Sequence, residues 1–176
     1  MISIVFVYIL CEFGDQQGVV SKLDDICPPP PPGALVRSTG WVDNRHSLIR
    51  KHVSDPVIYA REKNITMVLT PFPHFAGLVA HDDVCQVMTI SRVHGGGSEC
   101  MDDHVEEQIN YLFSVLEMLH LVPSTEFYYG FCCNLYINND RTVAMFDYGM
   151  YKYGSPAETR AIRDHLVRTL YARKTC

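Results

Sequence analysis

The clearest pattern along this 176-residue chain is a set of apolar residues that recur at helical spacing. The set follows steps of four, three, four and three residues and comprises Val105, Ile109, Leu112, Leu116 and Leu119. Residues at these steps lie on one face of an α-helix, so the pattern predicts an amphipathic helix. Acidic residues near its start, such as Asp102 and Asp103, suit the positive end of the helix dipole.

Shorter apolar runs, bounded by glycine, proline or polar residues, are typical of β-strands. They occupy 34–36, 65–69, 84–93, 127–133 and 142–146, and an Asn138-Asn139-Asp140 turn precedes the last of them. Asp43 is placed to cap a helix that reaches Val53 and ends before Pro56. The segment Ser155-Pro156-Ala157-Glu158 is a capping box with proline at the first helical position, and it opens a basic C-terminal helix.

The order of these elements is strand, helix, strand, written twice and followed by a small hairpin. This order predicts an α+β fold with a duplicated βαβ unit, ferredoxin-like, in which one sheet packs on two helices. We expect a single domain at residues 32–146. Residues 1–31 form an N-terminal extension that ends in a proline run, and residues 147–176 form a C-terminal extension with the basic helix.

Composition and charge narrow the classes of partner. Charged residues make up 20% of the chain and the net charge is −5, without a basic stripe, which argues against nucleic acid. The apolar segment Ile2 to Leu10 is too short to span a bilayer, and it lacks a preceding Lys or Arg and a cleavage motif. We therefore expect no membrane span, and a cytoplasmic or secreted protein without a clear signal peptide.

Cysteine usage and known motifs point to no cofactor and no metal. The seven cysteines are an odd number without regular spacing, which favours mostly reduced thiols. The histidines do not have the spacing of metal ligands. The HGGGS run, His94 to Ser98, is similar to the oxyanion loops of esterases, but no nucleophile elbow accompanies it, so a strand-to-helix turn is favoured. Asn64-Ile65-Thr66 is a glycosylation sequon that matters only in a secreted chain.

Five consecutive prolines, Pro28 to Pro32, form a second distinctive feature. Proline fixes φ and lacks an N–H, so such a run adopts an extended polyproline II helix. The run is either a stiff spacer or a ligand for an SH3-type or profilin-like partner. One interpretation of the whole chain is therefore a ferredoxin-like interaction module that binds through the proline run and the C-terminal helix.

A second interpretation comes from a resemblance. CQVMTISRVHGGG from Cys85, the helix exit Leu119-His120-Leu121-Val122-Pro123 and the turn Ile137-Asn138-Asn139-Asp140 resemble parts of the macrophage migration inhibitory factor family, the tautomerase superfamily of cytokines. Upstream, the sequence from Pro32 to Thr39 resembles the start of the mature family chain. The resemblance implies a homotrimer with pockets between subunits, and either tautomerase activity on phenylpyruvate- or dopachrome-type substrates or signalling through a cell-surface receptor.

The resemblance also implies site residues. Pro32 takes the place of the catalytic base, Lys63 that of the lysine that binds the carboxylate of an α-keto acid, and Val93 and Tyr128 line the pocket, with Phe127 replacing Tyr128 one register over. The mechanism needs a free secondary amine as general base. Within the chain, the nitrogen of Pro32 is an amide whose lone pair is delocalised. We therefore expect weak or absent catalysis unless Pro32 becomes the first residue.

Overall fold

The computed structural model describes residues 27–92, 101–123 and 134–173, and within them it confirms the α+β class. One sheet has five strands: β1 (Leu35–Arg37), β2 (Gly40–Asp43), β3 (Leu48–Val53), β4 (Leu78–Asp82) and β5 (Val87–Ser91). Three helices lie in the described residues: α1 (Pro56–Leu69), α2 (Asp103–Met118) and α3 (Pro156–Arg173). Two small antiparallel sheets complete the fold. One pairs β6 (Leu121–Val122) with β9 (Lys152–Tyr153), and the other is a hairpin of β7 (Leu135–Ile137) and β8 (Val143–Met145).

The five-stranded sheet contains one split βαβ unit. Its strand order is β1-β2-β3-β5-β4, and every neighbouring pair is antiparallel. Strands β3 and β4 therefore run parallel to each other, α1 connects them, and β5 lies between them. The second copy of the unit, as the sequence predicts it, requires a strand at 127–133, which lies outside the described residues.

Two predicted elements between Asp43 and Leu69 are wrong. The predicted helix that Asp43 was to cap is the β2–β3 hairpin, in which Asp43 pairs with Arg50 across the strands. The predicted strand 65–69 is the end of α1. This helix begins at Pro56, after the Asp55 carboxylate accepts hydrogen bonds from two backbone N–H groups at 2.8 and 3.1 Å. Proline starts this helix because the first helical residue needs no N–H donor.

Other predicted elements are confirmed. Helix α2 runs from Asp103 to Met118 behind an Asp102 cap, and Val105, Ile109, Leu112 and Leu116 are fully buried. The capping box before α3 forms as predicted, because the N–H of Glu158 donates to Ser155 Oγ at 3.2 Å and the N–H of Ser155 donates to Glu158 Oε2 at 3.0 Å. The predicted strand 84–93 is shorter, since 83–86 is a turn and β5 covers Val87–Ser91.

The buried residues form one larger core and two smaller ones. In the larger core, Leu112 and Leu116 of α2 pack with Leu166 and Leu170 of α3. In the first smaller core, α1 covers one face of the five-stranded sheet through Tyr59. The second smaller core surrounds Trp41. Of the helices in the described parts of the chain, none combines the length and apolar character needed to cross a membrane.

Candidate functional site

The site residues implied by the resemblance lie in different parts of the chain. Pro32 is exposed and precedes β1 and the turn at Ser38 and Thr39, but it is joined to Pro31 by a peptide bond, so its nitrogen is an amide. Lys63 lies in the middle of α1, and its ammonium donates to both carboxylate oxygens of Asp83 at 2.8 and 2.9 Å. Val93 and Tyr128 lie outside the described residues, as does the HGGGS run.

Asp83 holds α1 against the β4–β5 turn. Besides Lys63, its carboxylate accepts a hydrogen bond from the Tyr59 hydroxyl at 2.8 Å and lies 3.2 Å from Nδ1 of His81. The hydrogen bond from Lys63, followed by that from Tyr59, lowers the pKa of Asp83. These contacts occupy the Lys63 ammonium, which in this structure therefore binds a carboxylate of its own chain.

A disulfide between Cys27 and Cys85 joins residues 58 positions apart, with Cα atoms separated by 5.2 Å. The expectation of reduced thiols is thus wrong for this pair, while the other five cysteines lie outside the described residues. No regular cysteine spacing signalled the bond, because tertiary structure brings the two residues together. Cys27 and Ala34 pack against the buried Trp41, so the bond lies at one face of the five-stranded sheet.

The disulfide fixes one end of the proline run, and the turn into β1, which pairs with β2, fixes the other. The N–H of Ala34 donates to the carbonyl of Pro31 at 2.9 Å. Gly33 adopts φ +83°, and a side chain there would meet the guanidinium of Arg45 at 2.7 Å. Between these points Pro28, Pro29, Pro30 and Pro32 are exposed and Pro31 is half-buried. Pro32 lies in the turn that the hydrogen bond from Ala34 to Pro31 closes. Four residues of polyproline II, the length of Pro28 to Pro31, extend about 12 Å.

An ion pair holds Arg45 beside the proline run. Its Nε and NH2 atoms donate to the two oxygens of Asp43 at 2.8 and 3.0 Å, a bidentate geometry. The hydrogen bond from Arg45 lowers the pKa of Asp43 to about 2. The Asp43 side chain is buried, whereas 44% of the Arg45 side chain remains exposed. The guanidinium is therefore fixed in position and still accessible to a partner.

Aromatic and basic groups lie on the same face of the sheet. The Trp41 ring stacks on His52 with centroids 6.0 Å apart, and the guanidinium of Arg50 lies 5.9 Å from the Trp41 centroid. Burial lowers the pKa of His52. Its Nδ1 atom has no hydrogen-bond partner among the described residues. This face is thus close-packed around Trp41 and basic toward Arg50.

A second polar cluster lies on the opposite face, under α1. The ammonium of Lys51 on β3 contacts Glu62 Oε1 at 2.8 Å and Asp147 Oδ1 at 2.6 Å. Glu62 is 2% exposed. Burial, followed by the neighbouring Asp147 charge, raises its pKa against the opposing effect of Lys51. Burial acts to lower the pKa of the Lys51 ammonium, but the nearby Glu62 and Asp147 carboxylates outweigh it, so this pKa is raised.

The helical half carries an open groove of about 540 Å³ between α2 and α3. Its polar lining includes Glu106, Asn110, Arg163, Asp164 and Arg168. Arg163 donates to Asp164 at 2.8 Å, so part of the charge is already paired. Of the residues implied by the resemblance, the two that the structure describes, Pro32 and Lys63, do not line this groove.

No group of three or more His, Cys, Asp or Glu side chains within residues 27–92, 101–123 and 134–173 has the arrangement of a metal site. Comparison with protein-family models found no match, and comparison with curated proteins found none either. The resemblance to the tautomerase superfamily therefore stays a prediction that rests on the residues quoted for it.

Proposed function

We propose that this chain is a non-catalytic binding protein that presents its proline run to a protein partner. The observation that carries the proposal is the exposure of four of the five prolines in a segment fixed at both ends. The partner that we expect is a protein domain with a groove lined by aromatic side chains, the kind of surface that recognises polyproline II segments. The disulfide supports a secreted location, because such bonds persist mainly in oxidising compartments.

The fixed ends make the segment a better ligand than a free peptide of the same sequence. A flexible peptide loses conformational entropy when it binds, whereas a segment already held in its bound shape loses less. The exposed guanidinium of Arg45 lies at the end of the run, beside Gly33. An acidic side chain at the rim of the aromatic groove would pair with it and set the direction of binding.

The test uses isolated SH3, WW and EVH1 domains as probes of proline recognition. We expect at least one of them to bind the full-length protein with a dissociation constant in the micromolar range, and the double substitution Pro29→Ala and Pro30→Ala to weaken binding about tenfold or more. Pro73→Ala, at an exposed proline outside the run, is the matched control. Absence of binding to every probe, or equal binding by the double variant, would refute the proposal.

A second candidate function is the tautomerase activity implied by the resemblance. The observation that favours it is that Pro32 is followed by a short strand and a Ser38-Thr39 turn, as at the start of the mature family chain. Activity requires cleavage before Pro32. Intact mass and N-terminal sequencing of protein from its own source would detect that cleavage. A phenylpyruvate assay with a Pro32→Gly control would then detect proline-dependent catalysis, and a source protein not cleaved at Pro32 would exclude this mechanism.

With this second candidate function we also propose a homotrimer. Its pockets between subunits would accept an α-keto acid, and its outer surface would contact a receptor. Three chains of 20.0 kDa would give a particle of about 60 kDa in light scattering. The edge strands β1 and β4 support an assembly, because an unpaired strand edge can pair with a neighbouring subunit. A particle with the mass of one chain would remove the trimeric proposal and leave the proline-binding function unaffected.

A further inference from the structure

The cluster of Lys51, Glu62 and Asp147 contains one ammonium group and two carboxyl groups. Two carboxylates contact the same ammonium, with Glu62 Oε1 at 2.8 Å and Asp147 Oδ1 at 2.6 Å from Nζ of Lys51. If both acids were ionised, the cluster would carry a net negative charge in a mostly buried place. Carboxylates this close cannot both ionise without a large cost.

The surroundings of one carboxylate oxygen indicate where the cluster would hold a proton. Oε2 of Glu62 is buried and has no hydrogen-bond partner among the described residues. A buried carboxylate oxygen without a donor is costly, whereas a protonated oxygen can itself donate to a neighbouring carboxylate. Asp147 is the neighbouring carboxylate, since it shares the Lys51 ammonium with Glu62.

We propose that Glu62 is protonated at neutral pH and that this proton, donated toward the Asp147 carboxylate, latches the Tyr148 turn onto α1. The Tyr148 turn consists of Asp147, in the left-handed region at φ +57°, and the one-turn 3-10 helix Tyr148–Met150. With one proton held, the two acids and Lys51 are electrically neutral. This proposal is independent of the proline run.

The groups that face Glu62 come from two other elements. Strand β3 contributes Lys51, and the Tyr148 turn contributes Asp147 and the buried Tyr148 hydroxyl, which donates to the carbonyl of Met145 at 2.7 Å. On α1 itself, Ile58 flanks the contact with Gly149. A Cβ at Gly149 would lie 3.0 Å from Glu62 Oε2, so glycine permits the close approach of the turn.

Loss of the proton would release the turn. When Glu62 gives up its proton to hydroxide, a second negative charge appears beside Asp147, and one ammonium no longer balances both acids. Repulsion then favours movement of the half-exposed Asp147, whose backbone conformation is uncommon for a residue other than glycine. The Tyr148 turn is expected to leave α1 as the pH rises.

Infrared spectroscopy of the full chain at neutral pH tests for the proton on Glu62. We expect an absorption band from a protonated carboxylic acid, lost in Glu62→Gln and retained in Glu158→Gln, a control at an exposed glutamate. In Asp147→Asn the like charge is gone, so Glu62 should lose its proton at a lower pH than in the wild type. Absence of the band, or its persistence in Glu62→Gln, would overturn the assignment of this proton to Glu62.

Hydrogen exchange tests the latch. The N–H of Tyr151 donates to the carbonyl of Tyr148 at 3.0 Å and so reports on the turn. Once corrected for the intrinsic pH dependence of exchange, its exchange rate should rise as the infrared band disappears. Glu62→Gln mimics the protonated acid and should keep the rate constant. An equal rise in both proteins would show that the proton does not control the turn.

Discussion

Asp43 and Glu62 are the carboxylates buried in the described residues, and each is paired with a cation in a different way. Asp43 binds Arg45, two positions further along the same hairpin. Glu62 binds Lys51, which lies eleven positions away in another element. Because a buried charge without a partner is strongly destabilising, the Asp43–Arg45 pair links the stability of the sheet to pH.

Asp43→Asn tests this link for the local pair. Arg45 lowers the pKa of Asp43 to about 2, below the value of about 3.9 in an unfolded chain. The ionised carboxylate therefore stabilises the fold above pH of about 4, and this contribution is lost as the pH falls toward about 2. Asp43→Asn should be less stable at neutral pH and should lose less stability on acidification, as measured by the urea midpoint.

Arg45→Met provides the companion variant for this prediction. It leaves the buried Asp43 carboxylate without its guanidinium, so it should be destabilised more at neutral pH than Asp43→Asn. An Asp43→Asn protein with the wild-type response to acid would contradict the role of the ion pair.

At the scale of elements, the helices of the helical half depend on buried apolar faces and on caps. On α2, Leu112 is fully buried in the larger core, whereas Met118 at the end of the same helix is 59% exposed. Helix α3 begins at the reciprocal hydrogen bonds of Ser155 and Glu158. Leu112 and Leu116 of α2 and Leu166 and Leu170 of α3 thus bury apolar surface in a common core.

Leu112→Ala should lower the free energy of unfolding by about 2–5 kcal/mol, because it removes buried methyl groups and leaves a cavity. Met118→Ala, on the same helix, should change it by less than about 0.5 kcal/mol. Urea denaturation of both variants measures the difference. Similar effects at the two positions would mean that α2 does not bury the face seen in the structure.

Helix α1 and strand β3 show why the local pattern of apolar residues predicted the wrong type of element at these two places. The buried face of α1 includes Tyr59, Glu62, Ile65, Thr66 and Leu69. Because two of these residues are polar, no apolar stripe marks the helix, and the run from Ile65 to Leu69 has the composition of a strand. Conversely, β3 is a strand because residues that face α1, such as Ile49 and Val53, alternate with residues on the opposite face of the sheet. From the sequence alone, its short apolar run resembled a helix.

At the scale of the whole molecule, the Cys27–Cys85 disulfide links the proline run to the sheet. It closes a long loop, since the two cysteines are separated by 58 positions. A bond of this kind stabilises mainly by restricting the unfolded chain. It also holds the start of the proline run beside the β4–β5 turn.

Cys85→Ser should lower the free energy of unfolding by about 2–4 kcal/mol. Cys27→Ser should have the same effect, and the double variant should be no less stable than either one. A reducing agent should lower the melting temperature of the wild type but leave that of the variants unchanged. A wild-type protein insensitive to reduction would show that the bond does not contribute to stability.

The sequence by itself determined α2, the start of α3, the Asn138-Asn139-Asp140 turn and the α+β class. Each of these depends on residues within a few positions of one another, such as a repeated apolar spacing or a reciprocal cap. The exposure of a proline run was also foreseeable, because proline cannot join the interior of a sheet.

Only the tertiary structure decided which of β3 and α1 is the strand, which cysteines pair, and which charges meet. Lys51 contacts Asp147, although the two residues are 96 positions apart in the sequence. The predicted placement of the site residues implied by the resemblance depended on the order of the strands, which local sequence patterns do not specify. Contacts of this range follow from how the elements pack, since a single sequence records each partner but not the distance between them in space.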